Sequence, residues 1–204
     1  MTAPPLFVSW KAPPLHRLPR RPAPVLDETL DSYLTRLASA NHLDPKALRE
    51  RVSGSRHKSV AVPADRLARL TGYPQRSLRY AILELCTPDE LQSMNISRRP
   101  LPGQAHRCRA GCRSCLARLG FGSHDPGVVR WHHFEDVICW RHRRWTALSL
   151  DIEAPQPDVA QLSDVLRAGR LHRRLRWRHG HDAVLNAFRT AHYIWSQWTT
   201  AGWY

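Results

Sequence analysis

The chain has 204 residues, a formal net charge of +14 and a sequence pI near 10.7, and only three of its 31 basic residues, Lys11, Lys46 and Lys58, are lysine. That length holds one compact domain or two small ones, and the charge excess points to a polyanionic partner. No apolar run is long enough for a bilayer span, and the N-terminal stretch lacks the apolar core of a signal peptide.

The preference for Arg, with abundant Ala and Pro, is what a GC-rich genome produces. It explains Arg over Lys but not the surplus of cations. Five cysteines, an odd number with metal-like spacing, fit a reducing cytosol rather than a disulfide framework.

Residues 1–26 contain Pro4, Pro5, Pro13, Pro14, Pro19, Pro22 and Pro24. They predict a proline-rich arm, either extended and pinned by Leu6, Phe7 and Trp10 or a disordered leader. From Asp27 the pattern turns helical. Leu30, Tyr33, Leu34, Leu37 and Ala38 share one face, with Asp27 or Thr29 as cap and Asn41-His42 as the end. Asp44-Pro45 starts a second helix, which stops at Ser53-Gly54.

A third helix opens at Pro63 and closes at Gly72, and a fourth is expected from Gln75 to Leu85 with Leu78, Ala81, Ile82 and Leu85 inward. Thr87-Pro88-Asp89-Glu90 has the form of a capping box and predicts one more short helix. The third and fourth helices have the spacing of a helix-turn-helix, with Ala68 at the close approach. Gln75, Arg76, Ser77, Arg79 and Tyr80 would then face outward, suited to a DNA groove; the plainer alternative is a helical hairpin whose arginines are simply solvated.

A basic linker, 97–107, leads to a C-x2-C pair, Cys112 and Cys115, and then a C-x2-H pair, Cys139 and His142. Two such pairs supply the four ligands of a tetrahedral, structural Zn2+ that would hold together a unit spanning 108–148. Cys108 precedes Cys112 with three residues between them, a feasible C-x3-C pair near His106, and is a possible substitute ligand for Cys112. Cys86 reads as a small core residue. Val129, Trp131, Phe134, Val137 and Ile138 would form small strands or core fillers between the pairs, and Arg107, Arg109, Arg113, Arg118, Arg130, Arg141, Arg143 and Arg144 make the unit basic.

Asp151 to Pro157 reads as an acidic hinge before C-terminal basic helices, 158–204. Val159, Leu162, Val165 and Leu166 mark the first of these helices. Val184, Leu185, Phe188, Ala191, Trp195 and Trp198 mark the second. Arg173, Arg174 and Arg176 belong to an Arg cluster beside Trp177, suited to phosphates and base stacking or to an acidic protein surface. His132-His133 beside the ligand pairs is a weak nuclease signal, because Glu135 and Asp136 are the only nearby acids and no Asn-to-His pairing follows before Asn186. Neither a phosphate-binding Gly-rich loop nor a Ser–His–Asp signature is present.

The segment Glu28-Thr29-Leu30-Asp31-Ser32-Tyr33-Leu34-Thr35-Arg36-Leu37-Ala38, preceded by Leu18-Pro19-Arg20-Arg21-Pro22, resembles the opening helix of the TniQ/TnsD family. Cys112–Leu116 and Cys139–Arg143 stand where that family has its zinc ligands, with Trp131 before the second pair. The resemblance covers residues 18–148. It implies a mainly α fold: an N-terminal helix-turn-helix bundle (27–96), a small zinc-finger unit and C-terminal helices.

It also implies a transposon target-site selection adaptor without catalysis of its own. Such a protein links target DNA, or a CRISPR effector with its guide RNA, to the AAA+ ATPase TnsC. The short chain favours the compact adaptors, and the expected location is the bacterial cytoplasm, at the nucleoid. The other reading is a stand-alone zinc-containing helix-turn-helix transcription regulator.

Overall fold

The computed structural model describes residues 15–57, 60–93, 108–121, 127–132, 136–146 and 153–202. The expectations for Leu6, Phe7, Trp10, His106, Arg107, His133, Phe134, Glu135 and the 97–107 linker lie outside the described residues. The fold is mainly helical, as expected.

Helix α1 spans Leu30–Ala40. Its cap is Thr29, whose hydroxyl accepts the Ser32 amide at 3.2 Å, and it ends at Asn41. Helix α2 (Pro45–Ser53) has Asp44 as cap, bonded to the Ala47 amide at 2.7 Å, and ends on Gly54. Helices α3 (Ala64–Thr71) and α4 (Gln75–Ala81) form the expected hairpin. Its turn depends on Gly72 at φ 74°, a left-handed conformation that costs a residue with a Cβ. Leu30, Tyr33, Leu34, Leu37, Val52, Leu67, Leu78 and Ile82 form the core, with Ala68 packed against it.

Helix α4 is shorter than predicted. At Ile82 the backbone is extended (φ −121°, ψ 96°), and a 3-10 turn, Leu83–Leu85, follows. The reason is tertiary. A helix continuing through 85 would carry Leu83 off the inner face, whereas the break buries Leu83 and Leu85 together. It also lets Glu84 accept the Leu30 amide at 3.0 Å. Helix α5 (Pro88–Ser93) starts with a reciprocal box, the Thr87 amide to Glu90 Oε2 at 2.8 Å and the Glu90 amide to Thr87 Oγ1 at 3.3 Å. Cys86 is half-buried and directs its thiol to the Arg79 carbonyl.

The described part of the arm is fastened to the bundle. Leu15 and Leu18 pack on its core, and the Leu18 amide bonds to the Leu70 carbonyl at 2.8 Å. Asn41 holds Arg20 from both sides, and Tyr33 and Tyr73 hydroxyls donate to the carbonyls of Pro22 and Arg21.

The second half starts with strand β1 (Cys108–Ala110), antiparallel to β2 (Val129–Trp131), with helix α6 (Arg113–Arg118) between them. Residues 27–29 extend this sheet: the Thr29 amide bonds to the Val129 carbonyl at 3.0 Å and the Trp131 amide to the Asp27 carbonyl at 2.8 Å. A hairpin, β3 (Ile138–Cys139) with β4 (Arg144–Trp145), follows.

The acidic segment before the C-terminal helices is a strap where it is described, rather than a hinge. Gln156 accepts the Arg113 amide and donates to the Gly111 carbonyl, while Pro157 and Val159 pair with Trp145 and Arg143. Val159 and Leu162 precede helix α7 (Ser163–His179) instead of joining it. Val159 is buried with Ile138 and Leu166 in a second core, and Leu162 is exposed. Gly169 lets α7 approach closely, since a Cβ there would stand 3.0 Å from the Trp140 ring. Helix α8 (His181–Thr200) turns back after Gly180, and beyond Leu185 nearly all of it is exposed.

Candidate metal centre

The four ligand candidates come from two tight turns. Cys112 caps α6 and Cys115 lies in its first turn. Cys139 ends β3, and His142 lies in the connection to β4, where Arg143 takes φ 49° to complete the reversal. Cys115 Sγ lies 3.5 Å from Cys139 Sγ and 3.3 Å from His142 Nδ1. That nitrogen is 3.7 Å from the sulfurs of both Cys112 and Cys139.

All four ligand atoms fall within 4.8 Å of one another. Bonds of about 2.3 Å to sulfur and about 2.0 Å to nitrogen, set tetrahedrally, separate sulfurs by about 3.8 Å and sulfur from nitrogen by about 3.5 Å. The observed separations match those edges, so the donor set fits a zinc ion. Four protein ligands would leave no vacant position for a reactive water.

The three clustered thiols differ in their electrostatics. Burial pushes the Cys112 and Cys115 thiols up, Cys115 to about 12, and the neighbouring Cys139 adds to both shifts. At Cys139 burial also pushes upward, but the His142 and Arg141 amides and the other two thiols donate to its sulfur, and the net shift is downward. The Ser114 and Cys115 amides point in the same way at Cys112. One thiolate is thus favoured and two are opposed. A divalent ion removes that opposition by balancing the sulfur charge.

Cys108 stands apart from this cluster, on β1 opposite Trp131. Burial, then the charge of Glu84, pushes its thiol to about 11.

The proposed nucleic-acid residues divide by environment. Gln75, Arg76 and Tyr80 are exposed on α4, but Arg79 is half-buried and ion-paired with Glu90 at 2.7 Å. On α7, Arg174 faces outward, Arg173 lies over the Trp140 ring at 5.2 Å, and Arg176 pairs with Asp136 at 2.7 Å. Arg109, counted among the basic surface, is wholly buried and donates to the Asp136 carbonyl at 2.8 Å. It holds the unit together by tying β1 to the backbone just before β3.

Sequence reasoning missed what the first-helix motif does. Arg36 grips Glu28 with two bonds, Nε to Oε1 at 2.7 Å and Nη2 to Oε2 at 2.6 Å, with both side chains buried. Ser32 donates to the same Glu28 Oε1 at 2.9 Å. The signal was present in part: Ser32 and Arg36, four apart, share one face of α1, and Glu28 stands just before its cap, within reach of both.

No curated protein and no solved structure matches this chain. The sequence pattern of the TniQ family matches residues 19–145, from the clamped arm to β4. That span covers more than half of the chain and takes in both the first-helix motif and all four ligand candidates, so the chain belongs to the TniQ family, which is associated with transposition.

Proposed function

We propose that this chain is a non-catalytic adaptor of transposition, joining a target-recognising element to the AAA+ ATPase TnsC around a structural Zn2+. The reading is carried by the way Ser32 and residues 27–29 bind the helical bundle to the metal unit. The two halves are one body through backbone and buried side-chain bonds. A bridge needs its two contact surfaces at a fixed separation, and this join supplies it. The target side would be DNA, or a CRISPR effector with its guide RNA, met in the bacterial cytoplasm at the nucleoid.

The test is co-purification with a TnsC-type AAA+ ATPase, with and without nucleotide and DNA. Retention of the protein on DNA-bound ATPase is expected; failure to associate under every condition rejects the reading. The transcription-regulator reading would then be favoured by tight binding to one duplex operator without the ATPase.

Within the adaptor, α4 contributes duplex contacts through Arg76. Arg76→Ala should lower duplex affinity at low salt and reduce the salt slope by about 1, the release of one phosphate's counterion. Arg79→Ala should act through loss of the Glu90 pair, loosening α4 against α5.

A further inference from the structure

Helix α7 has three faces. Val165, Leu166, Gly169, Arg173 and Arg176 meet the metal unit. His172 and Leu175 turn toward α8, with the His172 ring 5.9 Å from that of Phe188. What remains is an outward stripe of Arg167, Arg170, Arg174 and Arg178, spaced i, i+3, i+7 and i+11.

At the rise of an α-helix the stripe is roughly 16 Å long, with about 5.5 Å between successive arginines. All four side chains are exposed, and none makes a hydrogen bond or ion pair among the described residues. Asp164 is the one acid in the helix. Trp177, 73 % exposed, borders the stripe next to Arg170 and Arg174.

Like charges three and four apart on a helix repel, so the stripe opposes its own helix until an anion meets it. Evenly spaced guanidinium forks suit a chain of phosphates. The indole decides among polyanions. A duplex hides its base faces, and an acidic protein surface does not set a planar ring beside each anionic group, whereas an unpaired base stacks on an aromatic ring beside a cationic track.

We propose that the α7 stripe holds a single nucleic-acid strand, with Arg167, Arg170, Arg174 and Arg178 on successive phosphates and Trp177 under a base. This surface is independent of the ATPase linkage. It is tested with the protein and nucleic acid alone, so its failure leaves the adaptor reading standing, and the reverse holds too.

The measurement is fluorescence anisotropy of the zinc-loaded full chain with a labelled oligothymidylate and, separately, a duplex of equal length, over a range of salt. The oligothymidylate should bind more tightly to this surface. Replacing all four arginines by Gln should reduce the single-strand salt slope by about 3, at about 0.7 per phosphate contact, and Arg174→Gln alone by about 0.7. Trp177→Ala should weaken single-strand binding about 5- to 100-fold without changing the slope. An unchanged slope in the quadruple variant overturns the proposal. So does a duplex bound as tightly as the single strand with Trp177→Ala silent, and so does displacement of the strand by polyglutamate at equal charge, which would mark an acidic protein site.

Discussion

Ser32 Oγ accepts the Val129 amide at 2.9 Å while giving its own proton to Glu28 Oε1 at 2.9 Å. One hydroxyl in the first turn of α1 thus ties a buried ion pair of the helical bundle to the sheet of the metal unit. Hydroxyls suit this position because they donate and accept at once. Alanine would leave a half-buried amide without its acceptor. Ser32→Ala should cost roughly 1–3 kcal/mol and speed hydrogen exchange at the Val129 amide. Normal protection there would mean that the join does not depend on Ser32.

The ion pair behind Ser32 is a separate case. Arg36 also donates to the Ala23 carbonyl at 3.0 Å and stacks on Phe121 at 4.8 Å, so its guanidinium gathers arm, helix and metal unit. Arg36→Met strands the Glu28 carboxylate in the interior and should cost about 3–5 kcal/mol in denaturant unfolding. Adding Glu28→Gln removes the stranded charge and should recover part of that loss. A double variant no better than the single one would show that shape, not charge, is at stake.

Glu84 gives a pH dependence. Burial raises its carboxyl above the ordinary 4.5, against the opposing bond from the Leu30 amide. A carboxyl that holds its proton more tightly when folded contributes stability that is present below its unfolded pKa and is lost as pH rises through the folded value. Glu84→Gln stays neutral throughout. The variant should therefore gain on the parent chain at pH 7, and the gain should shrink toward pH 4. Denaturant midpoints at the two pH values check the sign, and a gain that grows on acidification would contradict it.

The parts of this fold that could be read from sequence are those written in neighbouring residues. Thr29, Asp44-Pro45, Gly72 and the Thr87–Glu90 box act within one turn, and the ends they predict are observed. The ligand cluster was legible for the same reason, each pair being made by one turn.

What could not be read depends on distant surfaces. The break at Ile82 serves Leu30 and the core. Arg109 reads as a surface cation until β1 has a partner sheet. Arg173, Arg174 and Arg176 are chemically alike in sequence, and only the seat of α7 on Trp140 and Asp136 separates two structural arginines from an outward one.

That seat rests on Gly169. A glycine inside a helix costs about 1 kcal/mol relative to Ala, so its presence has to be justified by packing. Here the Trp140 ring and Ile138 Cδ1 stand 3.0 and 3.1 Å from where a Cβ would lie. Gly169→Leu should overpack the junction and cost about 1–3 kcal/mol despite better helix propensity. Ala168→Leu, one residue earlier on an exposed face, should be close to neutral. Equal behaviour of the two would show that α7 is not held against the metal unit.

The metal itself should be indispensable to one half of the chain and not the other. The bundle has a core of its own around Tyr33, Leu37, Leu67 and Leu78, whereas the metal unit combines two-stranded sheets with short turns and a small core of Ile138, Val159 and Leu166. Such a unit gains its folding free energy from ligation. The purified protein should carry one zinc per chain, and Cys115→Ser should lose it. Because β2 is joined to residues 27–29, that loss should reach the start of α1 but stop short of α2 and α3. Hydrogen exchange would show protection vanishing at Ala110, Trp131 and Thr146 while Val52 and Leu67 stay protected. Cys108→Ser should keep its zinc, since that thiol lies outside the cluster. A zinc-free wild-type protein with the metal unit fully protected would reject the site. Loss of zinc on Cys108→Ser would assign one of the three sulfur ligands differently.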